Sequence, residues 1–165
     1  MYCLFFRHGI AIERQAWDGR EEDRPLTEKG SARARQSGRG LLNLRMTPTH
    51  ILSSPLARAR GTAAILQPLI RPKPKIVIAA ELDPEAAPRS LFALLTTFPS
   101  DAVVLCVGHD PHLSIVAGIL LAGNPCRGLS LKKAGACLIH VEESVRPAAG
   151  RLEWWLTAAQ LRAFA

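Results

Sequence analysis

The sequence contains no Cys-x-x-Cys pair, no polybasic run, few aromatic residues and no long apolar stretch, and each absence removes a class of function. Cys3, Cys106 and Cys137 fall in apolar strand-like runs where a thiol serves as a small core residue, so neither a disulfide framework nor a metal ribbon is expected. No cysteine is followed six residues later by arginine, which excludes the cysteine-phosphatase loop. Gly118 and Gly123 imitate half of a P-loop, but Asn124 stands where lysine is required. With 5% aromatic residues there are few stacking platforms for bases, and basic residues are interleaved with acids, as in Arg20-Glu21-Glu22-Asp23-Arg24. Nucleic acid is therefore not the expected partner. The longest apolar stretch, Leu113 to Ala122, includes Ser114 and is far too short for a membrane span. No basic leader precedes the first strand, so the expected location is a reducing cytoplasm.

What is present fits one domain over residues 1–165, long enough to bury a core without disulfides or metal. The formal charge of +7, from 21 Lys and Arg against 14 Asp and Glu, favours anionic partners. The chain opens on Tyr2-Cys3-Leu4-Phe5-Phe6, a run apolar at every position, which predicts a strand covered on both faces. Arg7-His8-Gly9 follows at once. A guanidinium offers a permanent charge and a planar fork of donors for phosphate, and a neutral imidazole is a nucleophile near its ordinary pKa of about 6.5.

Further along, residues 10–24 read as a surface loop beside that site, and Thr27 caps a helix predicted over Glu28 to Leu44. His50 to Ser53 is a short strand, and Ser54-Pro55 predicts a helix from Pro55 to about Gln67 with Arg58 in its first turn. Lys75 to Ala79 is a third strand, followed by an acidic loop carrying Glu81, Asp83 and Glu85, and then a short helix over Arg89 to Phe98. Ala102 to Val107 is the clearest buried strand, and it runs into Gly108-His109-Asp110-Pro111, a cap-then-proline signal for a helix through Leu121. Gly135 to Val141 and Arg151 to Leu156 predict an antiparallel pair, with a short helix after them. His112 is expected to be an exposed or capping residue, and His50 and His140 to be structural.

Strands alternating with helices predict an α/β three-layer sandwich, a mostly parallel sheet with helices on both faces. In such a sheet Arg7, His8, Arg58 and His109 come from three strand ends along one edge, where anions also meet helix N-termini.

Arg7-His8-Gly9, Arg24-Pro25-Leu26-Thr27, Ser54-Pro55 with Arg58-Ala59 and Thr62, and Gly108-His109 resemble, in order and over residues 2 to about 156, the histidine phosphatase or phosphoglycerate-mutase-like superfamily. Length and the Arg-Pro-Leu-Thr element are most similar to SixA-type phosphohistidine phosphatases. Gly61, where that family often carries glutamine, departs from the pattern. The resemblance implies that His8 takes the phosphoryl group, that Arg7, Arg58 and His109 hold its oxygens, and that no metal or cofactor is used. It implies a phosphohistidine-bearing protein as substrate, or a small phosphate ester, with inorganic phosphate as product, and a monomer acting away from membranes. Arg24 is a candidate phosphate contact or a bridge to the acids of its own loop. Glu81 is the candidate general acid, which an ester would need. A binding module that forms no covalent intermediate is the reading from another class.

Overall fold

The computed structural model covers Met1–Ala165. Its six strands are β1 (Tyr2–Arg7), β2 (His50–Ser53), β3 (Ile76–Ile78), β4 (Val103–Gly108), β5 (Ala136–Val141) and β6 (Gly150–Leu156). They form one sheet in the order β3-β2-β4-β1-β5-β6. β3, β2, β4 and β1 are parallel, whereas β5 runs antiparallel to both β1 and β6. The sheet is mostly parallel with an antiparallel hairpin at one side, as the sequence predicts.

The helices are α1 (Glu28–Asn43), α2 (Ala57–Leu66), α3 (Pro88–Leu95), α4 (His112–Ala122) and α5 (Ala158–Ala163). Alternation along β1 divides them between the faces. Leu4 and Phe6 join a core with Ala34 of α1, Ala59, Ala63 and Leu66 of α2, and Leu161 of α5. Cys3 and Phe5 join a second core with Leu91 and Leu95 of α3 and Leu113, Val116 and Leu120 of α4. Each fully buried Leu or Phe of β1 contributes about 2 kcal/mol, so the strand that carries Arg7 is fixed from both sides. The buried thiols of Cys3, Cys106 and Cys137 are unpaired. Burial pushes the Cys3 thiol up to about 12 and the other two well above the ordinary range, so all three stay protonated. No helix is long and apolar enough to cross a membrane.

Several boundaries differ from the sequence expectation, each for a local reason. α2 begins at Ala57 rather than Pro55, and its N-cap is Leu56 without a side-chain cap. The Ser54 hydroxyl accepts only a 3.3 Å bond from the Leu56 N–H and is committed elsewhere. α4 begins at His112 with Pro111 in the cap position. The Asp110 carboxylate accepts from the Ser114 hydroxyl and, at 3.2 Å, from the Leu131 N–H instead of capping the helix. β3 is cut to three residues because it is an edge strand, with Val77 and Ile78 about half exposed. α3 starts one residue early, on Pro88, and stops at Leu95.

α1 is capped as expected, Thr27 Oγ1 accepting from Gly30 N at 2.9 Å. Its glycines are the packing face. A Cβ on Gly30 would lie 1.9 Å from the Ile10 carbonyl oxygen, and one on Gly40 would lie 1.7 Å from that of Leu161. The first approach presses the segment after His8 against α1, and that same Ile10 carbonyl accepts from Thr27 N at 2.9 Å. Gly30→Ala should therefore lower unfolding free energy by about 2–3 kcal/mol in urea titrations. Gly128→Ala, which meets nothing within 4 Å, should stay within about 0.5 kcal/mol. Equal effects from the two would show that the backbone contact at Gly30 carries no weight.

Candidate active site

At the C-terminal edge of the parallel strands a cavity of about 200 Å³ is lined by Arg7, His8, Ala11, Arg24, Arg58, Pro84, His109, Asp110 and Lys133. Arg7 ends β1 and His8 follows it, Arg58 lies in the first turn of α2, and His109 follows β4. Four residues predicted from three strand ends are thus brought together, with Arg24 reaching in from the loop after β1.

His8 is buried, and its Nδ1 lies 2.7 Å from the Gly9 carbonyl oxygen. A carbonyl only accepts, so Nδ1 carries the proton and Nε2 keeps its lone pair. Gly9 is held in turn by its N–H donating to Thr62 Oγ1 at 3.1 Å, while Thr62 donates to the Arg58 carbonyl at 2.8 Å. One hydroxyl on α2 therefore sets the distance between His8 and the arginine helix. Burial, with further contributions from the charges of Arg58, Arg7 and Lys133, pushes the His8 pKa down to about 3.

The His109 ring stands 5.0 Å from that of His8, tilted by 56°. Burial, then its proximity to His8 and Arg58, pushes its pKa down to about 2, so this ring is also neutral. Its Nε2 lies 2.8 Å from the Ser54 hydroxyl, and its Nδ1 meets no protein partner. The Ser54 hydroxyl also accepts from Leu56 N; when it gives its own proton to Nε2, the ring proton stands on Nδ1. A neutral imidazole with its proton on an unpaired nitrogen is a donor suited to an anion. The sequence reading assigned Ser54 to helix capping and missed this second use.

The arginines differ in how they are tied. Arg7 donates through NH1 to the Leu131 carbonyl at 2.7 Å, and its Nε has no protein partner. Arg58 is almost fully buried, and its Nε is also without a partner. Its NH1 donates to the Glu21 backbone carbonyl at 3.2 Å and lies 3.1 Å from the Glu21 carboxylate. Arg24 forks onto that carboxylate, Nε to Oε2 at 3.0 Å and NH2 to Oε1 at 2.8 Å, and its NH1 reaches the Ile12 carbonyl at 2.5 Å. The Arg24 hydrogen bond is the main reason the Glu21 carboxyl is held below the usual carboxylate range. Arg24 both lines the cavity and bridges to its own loop.

Glu81 is not among the residues lining the cavity. It lies on a turn, Ala80–Leu82, whose Leu82 is drawn wholly into the core, and the loop meets the cavity at Pro84. The acid of that loop whose charge reaches Arg58 is Asp83. His112 is buried rather than exposed, with neither ring nitrogen hydrogen-bonded, and burial lowers its pKa. Lys133 was not anticipated. Its position was implicit in the topology, because an antiparallel β5 beside β1 must begin at the edge where β1 ends.

Residues 3–83 match the model of the histidine phosphatase superfamily (branch 1). An uncharacterised protein of Picosynechococcus sp. is 38% identical over 138 residues, covering 82% of each chain. The structure of the protein histidine phosphatase SixA complexed with tungstate superposes with a TM-score of 0.85 at 22% identity, over 98% of this chain and 99% of that one. A mycobacterial glucosyl-3-phosphoglycerate phosphatase complexed with VO3 gives a TM-score of 0.72 at 18% identity, over 94% and 99% of the two chains. At these identities the two structures show a shared fold.

Nitrogen-15 NMR should find both imidazoles neutral from pH 8 down to about pH 5, with the proton of each on Nδ1. Ser54→Ala should move the His109 proton to Nε2 and lower turnover by about tenfold to a hundredfold, with His8 unaltered. An unchanged His109 tautomer in that variant would remove Ser54 from the account.

Proposed function

The chain belongs to the histidine phosphatase superfamily and is a phosphatase, and from that premise we propose that it hydrolyses protein-borne phosphohistidine through a phosphoryl group carried transiently on His8. The observation that carries this reading is a neutral His8, proton fixed on Nδ1 by Gly9, beside the guanidinium groups of buried Arg58 and half-buried Arg7, each with an unpartnered Nε.

His8 Nε2 attacks phosphorus with its lone pair as the bond from phosphorus to the substrate imidazole breaks, and that imidazole leaves with the electron pair and takes a proton from solvent. Water then attacks the same phosphorus, the bond to Nε2 breaks, and inorganic phosphate leaves. In both steps negative charge spreads over three equatorial oxygens, for which Arg7, Arg58 and the Nδ1–H of His109 are the donors. They are already desolvated and held by other bonds, so little reorganisation is needed.

Phosphohistidine is favoured over an ester by the acids available. An alkoxide leaving group needs a positioned proton donor, whereas a P–N bond to imidazole breaks more readily without one. The single carboxylate lining the cavity, Asp110, is engaged by the Leu131 N–H and the Ser114 hydroxyl. A small phosphate ester is the second reading, and the likeness to the glucosyl-3-phosphoglycerate phosphatase favours it.

Phosphate release from a phosphohistidine-bearing protein and from an alkyl ester, glycerol 3-phosphate, whose alkoxide needs a proton to leave, measured side by side, separates the two. Preference for the phosphoprotein is expected, with His8→Ala reduced by about 10³-fold or more and Glu81→Gln within about twofold of wild type. Preference for the ester together with failure of Glu81→Gln would establish the second reading. Absence of any hydrolysis would mean a binding module.

A further inference from the structure

We infer that Lys133 is a recognition residue at the mouth of the cavity, taking a second anionic group, a carboxylate, that the substrate carries next to its phosphoryl group. The inference rests on the reading of the cavity as a phosphoryl site and adds to it a requirement on what surrounds the phosphoryl.

The charges facing the cavity are Arg7, Arg24, Arg58 and Lys133, with Asp110 as the one carboxylate. Arg7 and Arg58 each keep an Nε without a protein partner and are the donors set for the phosphoryl oxygens. Arg24 is tied by its fork onto Glu21. Asp110 is bonded to Leu131 N and Ser114. Lys133 is left over: it lines the cavity, yet it takes part in none of the protein's ion pairs. Its side chain is exposed, as suits a rim position, while its charge is still felt at the His8 ring.

The lysine stands on backbone fastened from both sides to the site. Leu131 N donates to Ser114 Oγ at 3.0 Å, and the Leu131 carbonyl accepts from Arg7 NH1 at 2.7 Å. On the other side Ala134 N donates to the carbonyls of Arg7 at 3.1 Å and His8 at 3.2 Å, and Gly135 N to that of Lys132 at 2.8 Å. Ala134 holds a φ of 57°, the left-handed region that an alanine rarely adopts. This loop is therefore an over-determined turn that carries a free ammonium group to the edge of the phosphoryl site. A flexible ammonium with three donors suits a carboxylate whose exact position varies among substrates, such as an aspartate or glutamate beside a modified histidine.

Calorimetric titration with two probes tests this. Inorganic phosphate presents the phosphoryl group alone, and phosphonoacetate presents a phosphonate with a carboxylate beside it. Lys133→Gln should weaken phosphonoacetate by about threefold to tenfold and phosphate by less than twofold, and Lys133→Arg should restore most of the loss. Because the side chain is exposed, neither substitution endangers the fold. If both probes weaken equally, Lys133 belongs to the phosphoryl site and the inference is overturned, as it is if neither changes. If wild type binds neither probe, the phosphoryl-site reading itself fails, an outcome distinct from the other two.

Discussion

An uncharged imidazole has to be kept beside permanent cations, and the fold around the cavity is arranged to do that. Burial does most of the work on His8, and the charges of Arg58, Arg7 and Lys133 push in the same direction. The bond from Nδ1 to the Gly9 carbonyl then decides which nitrogen is free. These effects depend on the strand before them. β1 is wedged between β4 and β5 and packed on both faces, so Arg7 and His8 leave the sheet at a fixed place and direction.

The cations impose a cost that the structure offsets locally. The buried guanidinium of Arg58 and the half-buried one of Arg7 lose hydration at the cavity, and this is the main reason both have lowered pKa values. Glu21 bridges Arg58 and Arg24, and Asp110 lies close enough to Arg7 to favour its charge. Each carboxylate leaves an Nε–H of its arginine partner unengaged, on Arg58 and Arg7 respectively. The result is a site whose positive charge is partly compensated by two carboxylates while the Nε donors of Arg7 and Arg58 stay without a protein partner. Acidification works against it: His8 and His109 have lowered pKa values, so the unfolded chain takes up protons first, below about pH 6.5, and stability falls as pH falls.

Much of this was legible in the order of residues. Apolar runs place β1, β2 and β4 within a residue or so, since a strand buried on both faces admits little else, and the topology then carries Arg7, His8, Arg58 and His109 to one edge. What escaped was what depends on partners far along the chain. Ser54 looked like a cap because serine before proline usually is one, and only the packing of β4 against β2 brings His109 to it. Lys133 escaped because attention to the ends of parallel strands overlooks the start of an antiparallel neighbour. Glu81 was named because the resemblance puts an ester's acid in the loop after the third strand; burial of Leu82 sets how that turn sits, and Glu81 does not line the cavity. His112, one turn from His109, reads as a polar helix start yet lies buried.

The central claim is that His8 itself becomes phosphorylated, and chemical trapping addresses it most directly. Wild-type protein would be mixed with phosphoramidate, quenched in base within the first turnover, digested, and the peptides measured by mass spectrometry. One phosphoryl group on His8, stable in base, lost in acid and absent from His8→Ala, is the result the account predicts. Phosphate released with no label on His8, or a label on another residue, would contradict it.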